Sequence, residues 1–158
     1  MIIEQGKTQT LVNRLSQSNT QAVFASLTIA FEQYLEQYHL SRWGLHRGED
    51  DDSLKLTHPI YIKEMTEPTL GPAHSSQSHM RRVIVDADHV SISREINRDS
   101  SMLNQLQVRI SEITLQQHLA LLTLEVEGQL LFAQISKMSL DNLQLSVGDK
   151  VYAQFKAL

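Results

Sequence analysis

From Val23 onward the chain alternates. Val23, Ala25, Leu27, Ile29 and Phe31 fall on one side of a two-residue period, and Phe24, Ser26, Thr28 and Ala30 on the other. That period predicts a strand with one buried face. Shorter stretches at Leu40 to Arg47, Leu54 to Ile62, Arg82 to Ala87, Leu106 to Ile113, Leu119 to Val126 and Leu130 to Ile135 predict further strands, with Glu127-Gly128 as the hairpin turn between the last two. Residues 133–157 predict a strand, a short helical turn opened by hydroxyls, a glycine turn and a closing strand. A helical period appears near the N-terminus, where Leu11, Val12 and Leu15 share a face after Gly6, with Thr8 or Thr10 as a cap. Many short strands and few helices predict an all-β barrel or sandwich.

Two segments interrupt this pattern. Gly48-Glu-Asp-Asp-Asp-Ser53 is an acidic turn, and residues 67–79 combine prolines, glycine and serines in a loop. An internal echo links the two halves: Arg82-Val-Ile-Val-Asp-Ala87 resembles Tyr152-Ala-Gln-Phe-Lys-Ala157 as the closing strand of a unit. The expected organisation is a linker and short helix over 1–20, a first small barrel over 21–95 and a second over 96–158.

Composition narrows the function classes. The chain has 158 residues, enough for one domain or two very small ones sharing a core. It holds no cysteine, which excludes a disulfide scaffold and thiolate metal sites. A net charge of −4 argues against nucleic acid, which rewards a basic face. No apolar run approaches the length of a membrane span and the first residues do not form a signal peptide, so the expected location is the cytoplasm.

Candidate chemistry concentrates near the C-terminus. Ser136 and Ser139 open the helical turn, and Lys156 lies near the end of the closing strand. Hydroxyls beside unpaired helix N–H groups, with a nearby ammonium, can hold an anion. By spacing alone, the same residues also read as a helix cap and an exposed lysine. The seven histidines show no HExxH or regular i,i+4 pair, so no metal site is expected. Glu49 to Asp52 lacks the alternate ligands of a calcium loop and reads as a solvated hairpin tip. Trp43 is expected in the core or an interface. No nucleophile–base pair or metal motif suggests an enzyme.

From about Val90 the residues follow a family order: Val90-Ser-Ile, Ser100-Ser-Met-Leu-Asn-Gln-Leu106, Ala133-Gln-Ile-Ser-Lys-Met-Ser139, Leu145-Ser-Val-Gly148 and Val151-Tyr-Ala-Gln-Phe-Lys-Ala157. This resembles the molybdate-binding Mop domain of the TOBE group, in the form found at the C-terminus of molybdate ABC-importer ATPase subunits. The upstream half is similar to the first of the two modules there, with Tyr38-His-Leu-Ser-Arg-Trp-Gly-Leu45 and the opening Ile2-Ile-Glu-Gln-Gly6 as its matches. No Gly-x-x-x-x-Gly-Lys-Ser/Thr phosphate loop occurs, so the resemblance is to the regulatory tail without the ATPase.

The resemblance implies a pair of OB-like barrels that forms a homodimer, binds molybdate or tungstate where modules meet, and needs no other cofactor. It implies contact with importer ATPase and membrane subunits, and no enzymatic activity in this chain. A free-standing oxyanion buffer, or a structural dimerisation module with decayed sites, are the alternatives. Carried over by position, Ser101 and Asn104 would line one side of the pocket, with Ser136, Ser139 and Lys156 on the other. Two departures stand out: Leu103 replaces a frequent arginine, and Asp86 occupies the first-module position of Lys156, with Asp88 close by. A carboxylate about 4 Å from an anion repels it by roughly 1–4 kcal/mol, so the first-module site is expected to be weak or lost.

Overall fold

The computed structural model describes residues 22–47, 58–70 and 79–158. Among these residues nine strands form two antiparallel sheets. The first holds β1 (Phe24–Leu35), β2 (Leu40–Leu45), β3 (Ile60–Lys63) and β4 (Met80–Asp86), in the order β3-β2-β1-β4. The second holds β5 (Ser91–Ser93), β6 (Asn104–Gln116), β7 (Leu119–Val126), β8 (Gln129–Ser136) and β9 (Lys150–Phe155), in the order β5-β9-β6-β7-β8. One α-helix, α1 (Lys137–Leu143), links β8 to β9. The protein is therefore mostly β, as the alternation predicted. The helix expected near the N-terminus falls in residues outside those described; the described α-helix is near the C-terminus. The short β5 was not anticipated: three residues with serines at both ends give almost no periodic signal.

The period-two reading of β1 holds at the level of side chains. Val23, Ala25, Leu27 and Ile29 are buried, while Phe24 and Ser26 are exposed. Glu127 and Gly128 both have positive φ, 51° and 77°, which is the backbone a two-residue type I′ turn demands and a strong reason for glycine there. Trp43 is in the core, only 1% exposed. Its ring meets Phe31 edge-on at 5.2 Å and the Arg81 guanidinium at 4.6 Å. Its indole N–H donates to Ser41 Oγ at 2.6 Å; that hydroxyl donates to Glu64, which pairs with Arg81 at 2.6 Å. The polar atoms beside Trp43 thus satisfy one another.

The two sheets share one layout. Leaving out β5, the order β8-β7-β6-β9 repeats β3-β2-β1-β4. The register repeats as well. β1 bulges between Phe31 and Gln33, and β6 between Ile110 and Glu112; superposing the bulges sets Ala25 on Asn104. Ala25 pairs with Val85 and Asn104 with Phe155, so Asp86 and Lys156, the next residues, correspond. The internal echo in the sequence thus lies on matching strands.

The sheets meet along a seam in which side-chain amides stand in for strand partners. The Gln129 carboxamide accepts from Thr28 N–H at 2.8 Å and donates to the carbonyls of Thr28 at 2.8 Å and His46 at 3.0 Å. Asn104 does the same at β3: its Oδ1 accepts from Tyr61 N–H at 2.6 Å, and its Nδ2 donates to the carbonyls of Tyr61 at 3.2 Å and Lys156 at 3.1 Å. The last residue continues that contact, with Lys63 N–H donating to Leu158 O at 2.6 Å and Leu158 N–H to Tyr61 O at 3.1 Å. Arg47 and Glu127 add an ion pair across the seam at 2.5 Å. Buried apolar residues of both sheets form one cluster, from Leu27, Ile29 and Ile60 to Leu122, Phe132 and Phe155.

Candidate functional site

The hydroxyl part of the candidate site is built by the start of α1. Ser136 keeps extended backbone, φ −69° and ψ 151°, and caps the helix: its Oγ accepts from Ser139 N–H at 3.0 Å and donates to Ser139 Oγ at 2.9 Å. Leu140 is buried and anchors the helix to the sheet. At the other end Gln144 turns the chain left-handed, and the Arg94 guanidinium donates to the carbonyls of Leu143 and Gln144 at 2.7 and 2.6 Å. Arg94 also pairs with Asp149 at 3.1 Å. The helix is only seven residues long, so its dipole is small. The chemistry here rests on the two hydroxyls, of which Ser136 is exposed and Ser139 half-buried.

The cationic part lies elsewhere. Lys156 follows Phe155, the partner of Asn104 at the start of β6. It is exposed, and among the described residues it makes no ion pair. Ser101, three residues before Asn104, is exposed at the same end. Ser136, by contrast, pairs with Leu119, whose other partner is Gln116 at the far end of β6. Within one chain the structure therefore sets Asn104 beside Lys156, with Ser101 three residues before Asn104, and Ser136 and Ser139 at the opposite end of a 13-residue strand. The position-by-position expectation groups Lys156 with the two hydroxyls; within one chain, strand register places it next to Asn104.

Asn104 is fully buried, and both hydrogens of its Nδ2 are committed to carbonyls. Of the candidate residues at this end, Ser101 and Lys156 are the exposed ones. Leu103, where an arginine is frequent in the resembling family, is 47% exposed and supplies no side-chain donor.

The first sheet lacks every one of these groups. The shared bulge register sets Ala22 on Ser101 and Ala25 on Asn104, and the pairs Leu40–Lys63 and Leu121–Gln134 carry the count to Met65 for Ser136 and Pro68 for Ser139. Asp86 stands for Lys156. Its carboxylate caps the 3-10 turn Ala87–His89 by accepting from Asp88 N–H at 2.9 Å. The first sheet has kept the frame and lost the donors.

Among the described residues no group of three or more His, Cys, Asp or Glu could hold a metal ion, and no helix is long and apolar enough to cross a membrane. A cleft of about 290 Å³ at the seam is lined by Leu45, Arg47, His58, Leu106, Gln107, Val126 and Glu127. None of the five candidate residues lines it.

Fold and candidate residues define a tandem β protein in which, among the described residues, the candidate hydroxyl and ammonium groups lie in the second of two matched units. A family profile of the TOBE domain matches residues 100–157, a stretch that holds all five candidate positions. The molybdenum import ATP-binding protein ModC of Haemophilus influenzae is 30% identical over 125 residues, covering 71% of this chain and 35% of that protein. ModC of Rhodopseudomonas palustris is 41% identical over 83 residues, covering 49% of this chain and 22% of that protein. The chain thus spans about a third or less of the length of these relatives. Among solved structures, the cytoplasmic molybdate-binding protein ModG, crystallised with molybdate bound, matches with a TM-score of 0.55 over 89% of this chain and 92% of its own, at 19% identity, a likeness of fold. The chain is a TOBE-domain protein related to the molybdenum import ATP-binding proteins.

Proposed function

We propose that this protein binds molybdate or tungstate and serves as a cytoplasmic regulatory module of a molybdate importer. The observation that carries the reading is the concentration of donors: the matched stretch supplies Ser101, Ser136, Ser139 and Lys156, and the equivalent positions of the first sheet supply none. Neutral hydroxyls with a single ammonium suit a tetrahedral dianion, because a site crowded with charges costs more to desolvate. The names of the relatives support the choice of ion, since they import molybdenum, and ModG was crystallised with molybdate.

The geometry also supports a homodimer as the binding unit. The hydroxyl group and the lysine group lie at opposite ends of β6, and the first sheet offers neither. A complete pocket then draws Ser136 and Ser139 from one copy and Lys156 with Ser101 from another. Asp86 keeps the first unit from competing for the ligand.

Calorimetric titration with molybdate, tungstate, sulfate and phosphate at about 100 μM protein tests the reading, because at that concentration even micromolar binding is registered. The expected result is heat with molybdate and tungstate, accompanied by dimer in sedimentation. No heat with any of the four ions overturns it and leaves a structural dimerisation module. Binding without capture of importer ATPase subunits in a pull-down replaces the importer role with that of a free-standing oxyanion buffer.

A further inference from the structure

We propose that Asn104 is a positioning residue, and that the Lys156–Leu158 segment it holds couples anion binding in the second unit to the β3 edge of the first. This rests on the reading of Lys156 as an anion ligand and goes beyond it by assigning the mechanical connection. Asn104 has one amide oxygen and two amide hydrogens to offer. The oxygen takes Tyr61 N–H, and the hydrogens go to Tyr61 O and Lys156 O. Nothing is left for a ligand, so Asn104 acts by fixing the backbone from which the Lys156 side chain projects.

The same backbone runs directly onto the other unit. Two residues past Lys156, Leu158 both accepts from Lys63 N–H and donates to Tyr61 O. Tyr61 O is therefore shared by Asn104 and Leu158, and residues 156–158 act as a short extra strand on the edge of β3 away from β2. β3 is anchored by β2 and by the buried Ile60 and Ile62, but its outer edge, four residues long and closed by these few bonds, opens more readily than the core. An anion that immobilises Lys156 holds the segment in its paired position and closes that edge. By linkage, a closed edge raises the affinity for the anion by the same factor. The first unit lacks the candidate groups at its equivalent positions yet offers, in Lys63 N–H and Tyr61 O, the donor and acceptor that pair with Leu158. That gives it a role as the element that senses occupancy.

Hydrogen exchange followed residue by residue in the full chain tests the coupling, with and without molybdate. Lys63 N–H reports the bond to Leu158 and Tyr61 N–H the bond to Asn104, while Thr28 N–H, bonded to Gln129 on the other side of the seam, reports general stabilisation. The expected result is slowing at Tyr61 and Lys63 several-fold greater than at Thr28. Removal of Leu158 alone, which takes no ligand away, is expected to weaken molybdate binding about fivefold or more. Equal slowing at all three amides, or full affinity after removal of Leu158, overturns the coupling while leaving the binding function in place. Absence of heat with the intact protein overturns the binding function itself, and the coupling with it.

Discussion

Asp86 and Lys156 occupy the same place in two copies of one strand layout, each directly after the residue that pairs with Ala25 or Asn104. Opposite charges at matched positions divide the work between the two units. The carboxylate is used locally, capping the turn at Ala87–His89, whereas the ammonium is exposed and unpaired among the described residues. Replacing Lys156 by Ala is therefore expected to weaken molybdate binding about ten- to hundredfold, the worth of one hydrogen bond to a charged group. Calorimetry reads the affinity and urea denaturation should show unchanged stability, since the side chain supports nothing in the fold.

Restoring the lysine in the first unit is expected to do little. The sequence alone suggests that Asp86→Lys would strengthen binding or add a site. Register shows that Ala22, Ala25, Met65 and Pro68 stand where the remaining candidate groups would be, so one ammonium has no neighbours to work with. The substitution also removes the cap on Asp88 N–H. The expected outcome is an unchanged number of sites by calorimetry and a loss of about 1 kcal/mol of stability by denaturation.

The seam can be tested through Gln129. Its side-chain amide fills the hydrogen-bonding positions of Thr28, and Thr28 O keeps a second partner in His46 N–H at 2.9 Å. Gln129→Ala therefore orphans mainly Thr28 N–H, at a cost of about 1–3 kcal/mol. Gln129→Glu keeps the acceptor for Thr28 N–H but sets a carboxylate against two carbonyls, and it should cost at least as much. The midpoint of urea denaturation measures both. Equal stability of Gln129→Ala and the parent would mean that water replaces the amide at no loss.

Much of this arrangement was readable before the structure. Alternation identifies β1, short apolar runs identify β6, β7 and β8, and Glu127-Gly128 announces its turn, because local sterics and burial decide those features. Ser136 was legible as a helix cap for the same reason. What could not be read was anything set by pairing between distant residues. Asn104 reads as a polar residue at a strand start, and only the 43-residue separation to Tyr61 closed by folding makes it a buried latch. Gln129 likewise reads as a turn residue, with no signal of its contact to Thr28, 101 positions away. The placement of Lys156 beside Asn104 comes from register, which a one-residue slip would change and which family order does not specify.

The double role of Ser136 gives the sharpest test of the candidate site. Its hydroxyl accepts from Ser139 N–H as a cap and, in the proposed pocket, turns its one hydrogen from Ser139 Oγ to the anion. Ala removes both functions and should cost about 1 kcal/mol of stability along with affinity, so it cannot separate them. Asp separates them. A carboxylate caps a helix as well as a serine does, so Ser136→Asp should keep the parent stability within about 0.5 kcal/mol in urea denaturation. The same carboxylate can donate nothing to a dianion and repels it, by roughly 1–4 kcal/mol at about 4 Å. The expected result is a protein that folds as before and has lost most of its molybdate affinity by calorimetry. If Ser136→Asp binds molybdate like the parent, Ser136 is only a cap and the pocket lies away from the start of α1.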